Sequence, residues 1–418
     1  MTWRKRNIII ISMSILVLML YMTNILQKEN QLGQPLAVIL LAAAGSLLVI
    51  RMETHMAYHA QTGQLQYQNL DLFRFISSIM IIILHVRPFF AVSAEADMAI
   101  NNIIGRICVP FFFLISGYFA AKQEQKKPDY IRSYIRSMIP VYLLWSAVYL
   151  PWSLSLAAPY IEQVQGMLPA ALPFVVQRLL LLLLIPLAVI IALLYSGVYY
   201  HLWYFPALLL SMLVLRWWKR KHSLKVLLAV SFVLLLFGAT ETYYGFCGQF
   251  FQSLLHYYYA VFFTTRNFLF FALFYVTLGY YMGKQQQPAS SLCFLKLLLS
   301  IAALIGEGLL LQTTERLDSN ILLACVPLVY YLFSCLLYTN IRLSWISELP
   351  FRTISKYYYL VHPLMILFVH AWFPQVDSIW LALIKVVCVL YTCMLFAAHA
   401  NEKALSCDTT VSVQPLTS

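Results

Sequence analysis

Long apolar runs, broken by short polar intervals that hold most of the charge, set the pattern of this chain from residue 8 to residue 398. A helix that crosses a bilayer needs about 20 mostly apolar residues, within a range of roughly 17–25. On that measure spans are expected at 8–26, 36–50, 71–88, 103–121, 138–156, 202–217, 225–239, 266–283, 292–311, 320–338, 357–373 and 379–398. The pattern predicts an all-α, polytopic integral membrane helical bundle of about 12 transmembrane helices, two of them leading a ten-helix core. The boundary between the two falls near residues 51–69. The polar stretches 51–69 and 122–137 and the tail after Glu402 are too short to bury an independent core.

Composition agrees with this reading. The 418 residues are 62% hydrophobic and 11% charged, with a mean hydropathy of +0.77, whereas soluble domains run near 45–50% apolar and about 25% charged. The first residues, MTWRKRNIIIISMSILVLMLYM, have the basic start and apolar run of a signal peptide. No small-residue cleavage site follows, so an uncleaved first helix is expected.

A net charge of +12 invites a nucleic-acid reading, but the basic residues sit in short loops between spans, which is the positive-inside pattern. No nucleic-acid partner is expected; the partner implied is the lipid bilayer. Arg4, Lys5 and Arg6 place the N-terminus inside, and Lys122, Lys126, Lys127, Arg132 and Arg136 mark a second inside loop. The intervening loop has only Arg87 with Glu95 and Asp97. The expected location is the cell (plasma) membrane, multi-pass, with both termini cytoplasmic.

Residues 179–195, LLLLLLIPLAVIIALLY, threaten this parity. Counting them as a span inverts every later loop, including the one with Arg342, Arg352 and Lys356. They are read instead as a re-entrant or interfacial segment, or half of a hairpin with 167–178, broken near Pro186. Six of the eight cysteines (Cys108, Cys293, Cys325, Cys335, Cys388 and Cys393) lie in apolar runs, without CxxC or Cys/His spacing. Neither a disulfide framework nor a metal site is expected.

Five constellations carry candidate chemistry. The first is LDLFRFISSIMIIILHVRPFF, residues 70–90, where Arg74 and His85 stand eleven residues apart, about 16 Å along a helix. Ionisable groups inside a span are costly and point to function. Arg74 otherwise snorkels to the interface, and His85 otherwise is a helix-end residue beside Arg87 and Pro88. As a functional group His85 is a general base.

The second is Val109–Tyr118, VPFFFLISGY, in which Ser116 and Gly117 read first as close helix contact. Arg106 before it either snorkels or pairs with Glu95 or Asp97. The third is Arg132 and Arg136, on one helix face at a spacing of four, suited to phosphates or to anionic lipid head groups. The fourth is Tyr200–Pro206, whose aromatics, Trp203 among them, suit a membrane interface and whose His201 is an unexplained extra. The fifth is Ser355–Pro363, where Pro363 frees a backbone carbonyl that can receive the imidazole proton of His362.

Taken in order, these stretches resemble the membrane acyltransferases called acyltransferase family 3. The pieces are Arg74 and His85 at the family's Arg/Lys-x10-His spacing, VPFFFLISGYF, HLWYFPALL, KYYYLVHPLMI and the aromatic FLFFALFYVTLGYYMGK. The resemblance covers residues 67–398, leaving 1–66 as two leading helices with a cytoplasmic linker and 399–418 as a cytoplasmic tail. The family's basic pair is usually Arg-x-x-Arg, whereas Arg132-x3-Arg136 stands here. YHLWYFPAL and SKYYYLVHPLMI also resemble the membrane half of the serine racemases of vancomycin-resistance clusters. The roughly twenty residues after the last span leave no room for a racemase domain, so pyridoxal-phosphate chemistry is not expected.

The resemblance implies transfer of an acyl group, acetyl being expected, from cytoplasmic acyl-CoA to a hydroxyl of an extracytoplasmic carbohydrate or cell-wall acceptor. Arg74, Arg132 and Arg136 then bind the donor, and His85 is the catalytic base or acyl carrier. Ser116, His201, Trp203 and His362 support them. Acyl-CoA is a co-substrate and no cofactor is bound permanently. A separate partner protein supplying an extracytoplasmic domain is compatible with this scheme. The competing expectation is a membrane module that transports serine or a similar amino acid.

Overall fold

The computed structural model describes residues 67–91, 93–167, 173–285, 293–338, 351–372 and 378–411. The expected spans 8–26 and 36–50 lie outside the described residues. Among the described residues the regular structure is helical. The helices are α1 (Gln68–Val86), α2 (Cys108–Glu124), α3 (Tyr130–Met167), α4 (Phe174–Leu194), α5 (Tyr204–Trp218) and α6 (Leu224–Ala239), followed by α7 (Gln249–Phe262), α8 (Leu273–Lys284), α9 (Cys293–Leu311), α10 (Cys325–Tyr338), α11 (Phe351–Trp372) and α12 (Ile379–Val411). Short helical turns cover 88–91 and 94–107, and a π-helical turn, Phe268–Ala272, leads into α8.

Each of the ten spans expected between 71 and 398 is met by a helix. Among the described residues six helices, α4 among them, are long and apolar enough to cross a membrane, and four shorter apolar ones accompany them. Helices are the natural outcome, because in hydrocarbon every backbone N–H and C=O must be bonded within its own segment. The protein is an all-α polytopic membrane bundle. It divides into two compact units, residues 1–108 with 335–418, and residues 109–334.

In the first unit α1 and α11 lie side by side and run in the same direction. Phe75 sits 5.1 Å from Phe351 and 5.6 Å from Tyr358, ring to ring. Gly105, in the turns after α1, approaches Leu84 so closely that a Cβ there falls 2.8 Å from the leucine side chain.

In the second unit α2 and α8 touch backbone to backbone. A Cβ built on Gly279 falls 1.8 Å from the carbonyl oxygen of Leu114, and one built on Gly117 falls 2.0 Å from that of Val276. Close helix contact is therefore what the Ser-Gly pair in VPFFFLISGYF serves.

The segment 179–195 departs from expectation: it belongs to a helix long and apolar enough to cross a membrane. α4 runs unbroken through Pro186 for 21 residues, so the expected break is absent. Proline removes one N–H and crowds one carbonyl, but opening this apolar stretch in lipid exposes further backbone groups, each at several kcal/mol by the usual estimate. The hairpin with 167–178 is absent too, since 174–178 are the first turns of the same helix. α3 is 38 residues long, about 57 Å, and it meets the end of α4 through its first half. Tyr142 Oη of α3 donates to the Leu193 carbonyl at the end of α4 (2.8 Å).

The charges bear out the parity argument within this unit. Asp129, just before α3, accepts from Arg216 (3.3 Å) and Arg220 (3.4 Å) at the end of α5. The basic residues that flank α3 and those that end α5 thus share one end of the unit.

Gly279→Ala is expected to lower stability by about 3 kcal/mol or more, since neither backbone can yield to the added methyl. The fraction of monodisperse protein surviving a heating series, read by fluorescence-detected size exclusion, measures it. A variant matching wild type would show that the helices are free to move apart.

Candidate functional site

The first unit gathers its chemistry along the α1–α11 contact. Arg74 pairs with Asp71 one turn earlier (3.0 Å), and Arg352 of α11 reaches the same carboxylate (3.3 Å). Two guanidiniums around one carboxylate leave net positive charge there. Arg352 is more than half exposed, whereas Arg74 is largely covered. Three turns along, the imidazole of His85 stacks on that of His362, with 5.2 Å between centroids and an 18° interplanar angle.

His362 is fully buried, and its orientation follows from the residue after it. Pro363 has no N–H, so the carbonyl of Tyr359 lacks its helical donor. His362 Nδ1 lies 2.9 Å from that oxygen and 2.9 Å from the Tyr358 carbonyl. Both partners only accept, so Nδ1 carries the proton and Nε2 of the neutral ring carries the lone pair. The expectation for Pro363 is met.

α1 ends in a left-handed residue, Arg87 at φ 52°, whose N–H closes on Ile83. A non-glycine in that region costs roughly 1–2 kcal/mol, and a partner holds it in place. Arg87 Nε donates to Asp97 Oδ2 (3.1 Å). The Asp97 side chain is 3% exposed, and its other oxygen accepts from Asn101 (2.6 Å). Of the alternatives open to Arg106, the pairing with Asp97 is taken instead by Arg87. Farther along α11, His370 Nδ1 accepts from the buried Lys385 of α12 (3.1 Å).

The second unit has two polar ends. At one, Arg132 and Arg136 project from the first turns of α3, both exposed and without an ion pair among the described residues. Lys219 bonds Glu124, which also accepts from Tyr280 (2.7 Å). Ser116 lies between the ends, its hydroxyl donating to the Phe112 carbonyl (2.7 Å) with Tyr204 Oη at 3.3 Å. That bond makes it a brace of α2 rather than a nucleophile.

At the other end, His201 is buried edge-on to Tyr149 (4.7 Å), and the guanidinium of Arg266 lies over the Trp203 ring at 4.9 Å. Behind them Asn267 is a hub. Its Oδ1 caps Leu269 and Phe270 (2.9 and 3.1 Å) and its Nδ2 reaches Tyr195 and Tyr258 (3.0 and 2.9 Å). Glu241, fully buried in the turn after α6, accepts from Tyr259 and from the Thr265 backbone (3.2 Å).

The residues expected at the site thus fall into three groups: Arg74, His85 and His362 in the first unit, and Arg132 with Arg136 and His201 with Trp203 at the two ends of the second. A family model described as an acyltransferase domain matches residues 67–398. The chain belongs to this family.

Curated relatives include a serine/alanine racemase of Enterococcus gallinarum, 28% identical over 72% of this chain and 41% of the relative. Two amino-acid racemases of Enterococcus faecalis are each 26% identical, over 65% and 72% of this chain and 36% and 41% of their own lengths. The chain spans about two-fifths of these relatives. No solved structure matches it.

Asp71, Arg352, Asp97, Glu241, Arg266 and Asn267 were not singled out by sequence as site residues. They stand alone near helix ends, where no periodicity marks them. Only the positive-inside count gave Arg352 any weight.

Burial holds the carboxyl of Glu241 above the usual carboxylate range, assisted by the charge of Asp318 and opposed by the hydrogen bonds from Thr265 and Tyr259. A raised folded-state value gives stability that is complete below the ordinary value of 4.5 and is lost as pH rises through the folded one. Glu241→Gln is therefore expected to raise the melting temperature more at pH 8 than at pH 5. Equal shifts at both would contradict this.

Proposed function

We propose that this family member transfers an acyl group, with acetyl the expected one, from cytoplasmic acyl-CoA to a hydroxyl of an extracytoplasmic carbohydrate or cell-wall acceptor. The observation that carries the reading is the stacked pair His85 and His362, three turns along α1 from the Arg74–Asp71–Arg352 cluster. In this reading Arg74, with Arg352 beside it, holds phosphate of the donor. Arg132 and Arg136 add phosphate contacts of the charge-assisted kind.

His85 takes the proton of the acceptor hydroxyl as its oxygen attacks the thioester carbonyl. The C–S bond breaks, and the proton passes from the imidazolium to the departing CoA thiolate. The His362 ring, fixed by its backbone bonds, orients His85 and limits the rotamers open to it. In a relay variant His85 itself carries the acyl group between donor and acceptor.

Loop charges favour a plasma-membrane protein with both termini cytoplasmic, which puts Arg74 inside and His85 toward the outside. Acyl-CoA is then the only small co-substrate required. A partner protein contributing an extracytoplasmic domain fits the same scheme.

A second reading is favoured by the curated relatives, whose names refer to serine, alanine and amino acids. In it the same polar residues line a route for a small amino acid.

His85→Ala separates the two. Acyl transfer to the acceptor should fall by about 10²-fold or more, with membrane insertion and size-exclusion profile unchanged. Transfer at the wild-type rate in this variant would end the first reading. Uptake of labelled serine into vesicles, lost in the variant and independent of acyl-CoA, would establish the second. For Arg132→Ala and Arg136→Ala the expected effect is a raised KM for acyl-CoA, with kcat less affected.

A further inference from the structure

The end of the second unit that carries His201 and Trp203 has an open cavity of about 280 Å³, near the lower bound of roughly 300 Å³ for small-molecule sites. It lies at the start of α5, a helix of 15 residues, so about 22 Å from the basic end where Arg216 and Arg220 hold Asp129. We propose that this cavity is the binding site for the acceptor, and that it selects a monosaccharide-sized sugar bearing a carboxylate. The inference rests on the carbohydrate-acceptor reading above and names the chemistry of that acceptor.

Three features of the lining support it. The cationic group is Arg266, with its guanidinium laid on the face of Trp203 at 4.9 Å. Stacking leaves the N–H edges of a guanidinium pointing sideways, in the fork geometry that suits a carboxylate. Ring faces and hydroxyls come next. Tyr200 is 42% exposed at the rim, and Ser153, Ser196, Tyr195 and Thr264 also line the cavity. The C–H face of a pyranose packs on an aromatic ring while its hydroxyls exchange hydrogen bonds with such groups. Free serine offers a carboxylate and one hydroxyl but no ring face.

The third feature is rigidity. The loop carrying Arg266 begins at left-handed Phe263, and the Arg266 N–H donates to Thr264 Oγ1 (3.0 Å). Thr265 is fixed through its backbone bond to Glu241 (3.2 Å), and Asn267 ties the loop to Tyr195 and Tyr258. Arg266 Nη1 also reaches Asn320 Oδ1 at 3.5 Å, which limits its swing. A guanidinium held this way loses little further freedom on binding a ligand.

The test uses the full chain in lipid nanodiscs without any acyl donor, titrated by calorimetry with D-glucuronate, D-glucose and L-serine. Glucuronate should bind saturably, and glucose and serine about tenfold more weakly or worse. Arg266→Gln should weaken glucuronate about tenfold or more. Arg266→Lys, which keeps the cation but loses the fork, is the second variant should the first fail to fold, and it should also weaken binding.

No glucuronate binding to wild type, glucose bound as tightly, serine preferred, or a folded Arg266 variant with unchanged affinity would each overturn the proposal. Because no donor is present, these outcomes are independent of whether the protein transfers acyl groups. If glucuronate binds but accepts no acyl group once acyl-CoA is added in a separate assay, the acyltransferase reading alone falls.

Discussion

In the second unit two helix backbones meet with no side chain between them, and much of the unit follows from that contact. The Cβ positions of Gly117 and Gly279 are occupied by carbonyl oxygens of the opposite helix, and that of Gly283 lies 2.7 Å from the Tyr118 carbonyl. Lipid supplies no hydrophobic drive for helices to associate, so close van der Waals packing must hold them. Glycine permits it. At this depth α2 brings Phe113 against Tyr204 (4.6 Å), Trp203 (5.9 Å) and Phe271 (6.0 Å). These three rings belong to the start of α5 and the turn before α8. The backbone contact therefore sets where the Trp203 face stands, and through it where Arg266 can lie.

The first unit depends on a different constraint, an absent N–H. A proline inside α11 leaves one carbonyl without its helical partner, and an imidazole fills the vacancy. The consequence is chemical as well as structural. His362 has one tautomer and one ring plane, so the ring stacked on it, His85, meets a fixed surface. An alanine at 363 would return the N–H to Tyr359 and leave the imidazole competing for an acceptor already in use. Fixing His85 through a neighbouring ring, rather than through a carboxylate, keeps charge out of the hydrocarbon, where an ionised partner is costly.

Much of this was legible in the sequence wherever a local rule dictates the outcome. Span positions follow from apolar run length, and all ten expected in the described residues are helical. His362 with Pro363 was readable because the proline and its carbonyl lie on the same turn. The segment 179–195 was half readable: its apolar run announces a helix, but neither its continuity through Pro186 nor its bond to Tyr142 of α3 is marked by hydropathy. Arg352 at Asp71, Asp97 at Arg87 and Arg266 at Trp203 were not readable as pairs. Each joins residues on different elements, with nothing periodic to announce the contact, and Arg106 was as good a candidate for Asp97 on sequence distance.

The same bonds bear on the choice between a catalyst and a carrier. Alternating access needs helices that rock against one another around a central site. In the second unit the basic end is tied across α2, α3, α5 and α8 by Glu124 and Asp129, through Lys219, Tyr280, Arg216 and Arg220. Near the cavity Asn267 fastens the turn before α8 to Tyr195 and to Tyr258 of α7. Between the two, the glycine contact allows no added atom. Rocking would have to break charge-assisted bonds at one end and a buried polar hub at the other. A transferase has no such requirement, since its reactants come to a fixed frame and preorganisation lowers the barrier. Helices pinned at both ends and touching in the middle are suited to chemistry more than to transport.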